Sequence, residues 1–178
     1  MSLKSTEEAL KVIPDLFDIN LNVDKDGNVL FRKLTSLIDF DEGFIYFLNP
    51  ESLQLKYSYK KHKNYKLEEA YQFDNSLKDK LYSKTGEILQ QNSEFIETVG
   101  LSKLNKKSWI ISKISIKSTV FGVILLAKKE RNYYTKTDLE ILNSASCILS
   151  YVLKDMELSN VFKIQLKALK DGIIEKNE

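Results

Sequence analysis

Val120-Phe121-Gly122-Val123-Ile124-Leu125-Leu126-Ala127 is a run of eight uncharged residues, set between Ser118-Thr119 and Lys128-Lys129. A strand with one wet face alternates apolar and polar side chains, so this run reads as a strand covered on both faces, in the middle of a sheet. Trp109 to Ile116 precedes it as a hairpin partner. The two are joined at Lys117-Ser118 without the Gly or Asn that tight hairpin turns favour, so packing should set the register. Beyond the run, Tyr134-Thr135-Lys136-Thr137-Asp138-Leu139 opens a helix predicted from about Lys136 towards Ile174. Leu142, Ala145, Leu149, Val152 and Met156 alternate spacings of three and four, the seam of a coiled coil. Phe162, Leu166, Leu169 and Ile173 continue that rule in a register displaced by three, a stammer. The first half of the helix has a sheet and a partner to pack on, and the second half has only a partner or another segment. The chain therefore divides at sequence level into a domain over 1–157 and a helical connector over 158–178.

The chain has 178 residues, 43% hydrophobic and 11% aromatic, enough for one domain with a real core. Its net charge of +2 provides no global field for nucleic acid or an anionic membrane. The single cysteine, Cys147, excludes an internal disulfide and a Cys-built zinc site, and with only His62 beside it there is no metal or haem signature. A reducing cytoplasm fits this usage. The apolar runs fall well short of the roughly 20 residues of a membrane span, and the N-terminus lacks a signal-peptide pattern.

Ser5-x-x-Glu8 is a capping-box pattern that starts a first helix reaching about Ile19, with Pro14 kinking or restarting it. A second helix is predicted from Asn28 to Ile38, with Val29, Leu30, Leu34, Leu37 and Ile38 inward. Phe44 to Leu48 and Leu53 to Lys60 form a hairpin around Asn49-Pro50-Glu51-Ser52. Strict alternation places Leu53, Leu55, Tyr57 and Tyr59 on one face of its second strand. After a charged, tyrosine-bearing loop, a short helix capped by Asp74 or Asn75 carries Leu77, Leu81 and Tyr82 inward, with Gly86 as its left-handed end. Glu87 to Leu89 is a brief strand, and 90–107 is irregular with one helical turn in 96–104.

This order of elements, together with three stretches of residues, resembles the GAF domain family. Leu81-Tyr82-Ser83-Lys84-Thr85-Gly86-Glu87-Ile88 is similar to the family's helix end and turn. Ser108-Trp109-Ile110-Ile111 with Val120 to Leu126 is similar to its last two strands, and Tyr134 to Leu142 to the start of its terminal helix. The resemblance covers about residues 5–160. It implies an α+β fold: a central antiparallel sheet of five or six strands, the N- and C-terminal helices packed on one face, a small-molecule pocket on the other, and a long C-terminal helix. It further implies a non-catalytic sensory or regulatory module, commonly a homodimer through those helices, attached to an output domain that here would lie beyond residue 178.

Pocket candidates are the aromatic and polar residues of the sheet and its covering loop: Tyr46, Tyr57, Tyr59, Tyr71, Phe73, Trp109 and Ser112. Leu142, Leu149, Val152, Met156, Phe162, Leu166 and Leu169 are the candidates for a dimer or signalling helix. Nucleophilic catalysis lacks its partners, since His62 lies in a Lys-rich loop and Cys147 in the long helix, where it reads as a small core residue. The pocket cysteine that anchors bilins in some GAF domains is missing, as are the pocket cysteines of GAF-like methionine sulfoxide reductases. Lys56 to Lys66 interleaves bases with tyrosines, the composition of a single-strand nucleic-acid surface, but Tyr57 and Tyr59 on an apolar strand face are better explained by core packing. Asp41-Glu42 and Glu68-Glu69 read as solvated. The alternative to a ligand-binding module is a purely structural dimerisation domain.

Overall fold

The computed structural model describes residues 7, 11, 27–49, 52–59, 70–72 and 75–174, the side chains of 70, 75–78, 156–164 and 166–174 excepted. The first predicted helix lies outside these residues apart from Glu7 and Lys11, an i,i+4 ion pair at 3.4 Å. Phe73, His62 and Glu68-Glu69 lie outside them as well.

Helix α1 (Asn28–Leu34) is followed by β1 (Glu42–Leu48), β2 (Ser52–Tyr59), β3 (Ala70–Gln72), α2 (Asn75–Ser83) and β4 (Gly86–Gln90). Then come α3 (Glu94–Thr98), a 3₁₀ turn (Leu101–Lys103), β5 (Ser108–Ile116), β6 (Thr119–Lys128) and α4 (Lys136–Ile174). The strands form one sheet in the order β3-β2-β1-β6-β5-β4, antiparallel throughout. This is an α+β fold with a six-stranded sheet.

β6 lies between β1 and β5, as its continuous apolar run requires. Its side chains divide by parity. Ile124 and Leu126 face a core shared with α1 and α4, while Val123, Leu125 and Ala127 face a second core under α3 and the 3₁₀ turn. At roughly 1.5–3 kcal/mol for each fully buried large aliphatic side chain, these two layers rather than any turn hold the sheet. The hairpin turn bears this out, because Lys117 takes a left-handed φ of 55° that its sequence does not favour.

Three expectations about α1, β2 and the start of β4 are corrected. α1 ends at Leu34, where Thr35 and Ser36 turn their hydroxyls back onto the carbonyls of Arg32 and Lys33 at 2.7 Å. Leu37 and Ile38 are still buried beyond the helix, and Phe31, overlooked in the periodicity, is fully buried with Leu30 and Leu34. In β2 the alternation breaks at a bulge: Ile45 pairs with Tyr57 but Tyr46 with Leu55, leaving Lys56 as the extra residue. Leu53 and Leu55 consequently face one core and Tyr57 and Tyr59 the other. Gly86 has no positive φ among the described residues. It begins β4, and a Cβ there would run into Asn143 Oδ1 and the Ile111 carbonyl oxygen, so glycine serves the close approach of α4 to the sheet.

α4 starts with Thr135 as its cap. The Asp138 carboxylate accepts from the Thr135 amide at 2.8 Å, and the Asp138 amide donates to Thr135 Oγ1 at 3.3 Å. Leu142, Ala145, Leu149 and Val152, the expected seam, are buried in the core of their own domain. Cys147 is exposed, contrary to expectation: the buried positions 141, 142, 145, 146, 149, 150, 152 and 153 set the inner face of the helix, and 147 lies off it. Tyr82 is also turned outward, 45% exposed, one residue past the buried Leu81 on α2.

Asp41 and Glu42 are not solvated. Glu42 is 5% exposed, and Lys106 Nζ stands 3.1 Å from both Glu42 Oε1 and Asp41 Oδ2. Lys128 Nζ pairs with Asp39 at 2.8 Å, and the Tyr133 hydroxyl donates to the same Asp39 oxygen at 2.7 Å. This network fastens the chain before β1, the segment before β5 and the loop after β6 at one end of the sheet.

Candidate functional site

The face of the sheet away from α4 is mostly filled. Phe44 stacks on Trp109 with ring centroids 6.2 Å apart, and Tyr46 meets Tyr71 edge-on at 6.1 Å. Ile96, Val99 and Leu101 cover these rings, and all three are fully buried. The Tyr46 hydroxyl is buried with no hydrogen-bond partner among the described residues, and burial pushes its pKa up, with Tyr71 adding to the shift. Tyr46, Tyr71 and Trp109 are thus brought together, but as a packed aromatic layer.

The open space on this face lies to one side, between α2, β4 and the start of α3. It is a cleft of about 240 Å³ whose apolar wall is Leu81, Leu89, Phe95, Ile111 and Val123, and whose polar groups are Lys80, Lys84, Thr85, Glu87, Ser93, Glu94 and Lys113. Each element places its share for a local reason. On β5, Ile111 and Lys113 share the parity of Trp109, and Lys113 lies opposite Val123 of β6. Leu81 is the buried residue among the described side chains of α2, and Phe95 is buried on α3 beside Ile96. Ser93 caps α3, yet its hydroxyl makes no capping hydrogen bond, and its Oγ is buried without a partner among the described residues.

The charges of the cleft are unevenly matched. Lys80 pairs with Glu94, and Lys84 with Glu87 at 2.9 Å. Among the described residues Lys113 Nζ meets only the Tyr82 carbonyl oxygen, at 3.4 Å, and no carboxylate. A wider hollow of about 580 Å³ lies near Gln90, Gln91, Glu97, Lys107 and Arg131, but its lining is polar throughout and supplies no apolar wall to hold a ligand.

Of the six pocket candidates among the described residues, none lines the cleft; the seventh, Phe73, lies outside them. Tyr57 and Tyr59 are on the α4 side of the sheet because of the bulge at Lys56; Tyr59 packs there against Phe31 and Phe40 at 5.7 and 5.5 Å. Ser112 is on that side too, its Oγ 2.6 Å from Ser146 Oγ of α4. Lys113, its neighbour, is the residue on the cleft side. The signal for it was available, as the only charged position within the apolar run Trp109 to Ile116. Ser93 carried no comparable signal, because a Ser before a helical turn reads as a cap.

The cleft and the helix share their backing. Gly86 lines the cleft and touches Asn143 of α4, and it pairs across the ladder with Ser112, which bonds α4. No group of three or more His, Cys, Asp or Glu that could hold a metal occurs among the described residues. No described helix is long and apolar enough to cross a membrane.

The fold is that of a GAF domain. The chain superposes on the phycoerythrobilin-bound GAF domain from a cyanobacterial phytochrome with a TM-score of 0.65 at 15% identity, over 90% of this chain and 100% of that one. It matches the GAF domain of a two-component sensor histidine kinase from Bacillus halodurans with a TM-score of 0.61 at 20% identity, over 75% of this chain and 94% of that one. A free methionine-R-sulfoxide reductase from Neisseria meningitidis is similar at a TM-score of 0.61 and 13% identity, over 88% of this chain and 90% of that one. No family model and no curated protein matches the sequence.

Proposed function

We infer that the chain is a non-catalytic regulatory module that binds a small molecule in the cleft between α2, β4 and α3 and passes its occupancy to α4. The observation that carries this reading is the shared backing: the Gly86 and Ser112 pair forms one wall with the cleft on one side and Asn143 and Ser146 of α4 on the other. A ligand that moves β4 and β5 by a few tenths of an ångström meets α4 directly, and a close-packed contact does not absorb such a shift. The sensor-derived similar structures support the reading.

An enzymatic role like that of the reductase is less well supported. The single cysteine lies on the exposed side of α4, across the sheet from the cleft. The half of α4 beyond Met156 acts as the connector, with Phe162, Leu166 and Leu169 joining a second copy or an output partner. Nucleic acid is the weaker partner, since Tyr57 is buried and Tyr59 is packed between phenylalanines. Native mass spectrometry of the purified full chain, followed by thermal shifts across a metabolite panel, tests the ligand. A bound species or a reproducible shift is expected. Neither adduct nor shift would leave a purely structural module.

A further inference from the structure

We propose that the cleft ligand is a small monocarboxylate with a compact apolar body, its carboxylate held by Lys113. This rests on the ligand-binding reading above and adds its chemistry. The size comes from the cavity: about 240 Å³ lies below the roughly 300–1,000 Å³ of drug-sized sites, which suits a metabolite of modest size. The apolar body follows from the wall, where Leu81, Phe95, Ile111 and Val123 present only hydrocarbon. The single negative charge follows from the ion pairs. Two of the three lysines at the cleft already face a glutamate, and the third, Lys113, has no carboxylate among the described residues. An ammonium against an apolar wall gains from an anion there, and a charge-assisted hydrogen bond is roughly twice as strong as a neutral one. A dianion or phosphate would bring more charge than the one unmatched ammonium balances, beside Glu87 and Glu94.

Phenylacetate and its neutral isostere phenylacetamide separate the charge from the shape. Both are titrated into the full-length, isotope-labelled protein while the amide resonances of Gly86, Ser93 and Lys113 are followed. Phenylacetate is expected to shift these amides saturably and to bind about tenfold more tightly than the amide, the ratio expected for one charge-assisted contact. Lys113→Met should erase that preference by weakening phenylacetate alone, and Lys113→Arg should restore it, which also controls for folding. Equal binding of the two probes, indifferent to Lys113→Met, would overturn the carboxylate assignment and leave the ligand site standing. If neither probe moved the cleft amides, the ligand site itself would fall with it.

Discussion

Lys106 is the residue on which one end of the sheet depends. Its ammonium is 3.1 Å from Asp41 and from Glu42, with only 13% of its side chain exposed. Lys106→Met keeps the stem and removes the charge, leaving a nearly buried glutamate without this cation. The expected loss is about 3 kcal/mol in chemical denaturation, since breaking one side of a buried pair is far more harmful than replacing both. The same cluster sets the acid response. Hydrogen bonds from Lys128 and Tyr133 hold Asp39 below its ordinary pKa. Burial pushes Asp41 upward, but hydrogen bonds from Lys106 and the Lys129 amide outweigh it and leave this carboxyl lowered too. A carboxyl lowered by folding stabilises fully above its unfolded value of about 3.9 and ceases to do so as pH falls through the folded value. Stability should therefore drop below about pH 4, and Asp41→Asn should reduce stability at pH 7 while flattening that drop. Lys117 is the opposite case, a side chain in a left-handed turn. Lys117→Gly should raise stability by about 1 kcal/mol, read as a melting temperature higher by a few degrees. The turn strain could be anticipated from Lys117-Ser118, where no Gly or Asn stands. The charge cluster could not, because Asp41 and Lys106 are 65 residues apart and only the antiparallel sheet brings them together.

The elements themselves were largely legible. β6 as a central strand followed from an uncharged run, and α4 from its Tyr134 to Leu139 opening and sustained periodicity. What the pattern did not disclose is which face each strand residue takes. A single bulge residue, Lys56, reverses the parity of everything after it, so Tyr57 and Tyr59 belong to the α4 side while Leu53 and Leu55 do not. Ser112 and Lys113 differ by one position and so by one face, and the pattern does not say which of the two meets α4 and which the cleft. The seam of α4 is a related case. Three-four spacing marks an apolar stripe but not its partner, and over Leu142 to Val152 the partner is the chain's own sheet. At the junction of sheet and helix, Gly86→Ala should cost about 2 kcal/mol, because the added methyl meets the Ile111 carbonyl at 2.6 Å as well as Asn143. Asn143→Ala in the same chain should recover part of that loss, a coupling that a double-mutant cycle would read directly.

On the scale of the whole molecule, two apolar layers enclose one sheet, and a helix belonging to one layer runs on to Ile174. Leu153 is the last buried residue of α4 among the described side chains, and a chain ending at 157 should remain folded, with its melting temperature within a few degrees of the full chain. If the segment beyond it joins a second copy, sedimentation at micromolar concentration should show the full chain as a dimer and the shortened one shifted towards monomer. If the proposed module works as inferred, the cleft and α4 communicate through β4 and β5. Hydrogen–deuterium exchange at the α4 amides from Asn143 to Tyr151, with the cleft empty and saturated by phenylacetate, tests it most directly. Exchange in this stretch should change on saturation, together with that of Gly86 and Ser112. A cleft that protects its own amides while α4 exchanges as before would contradict it.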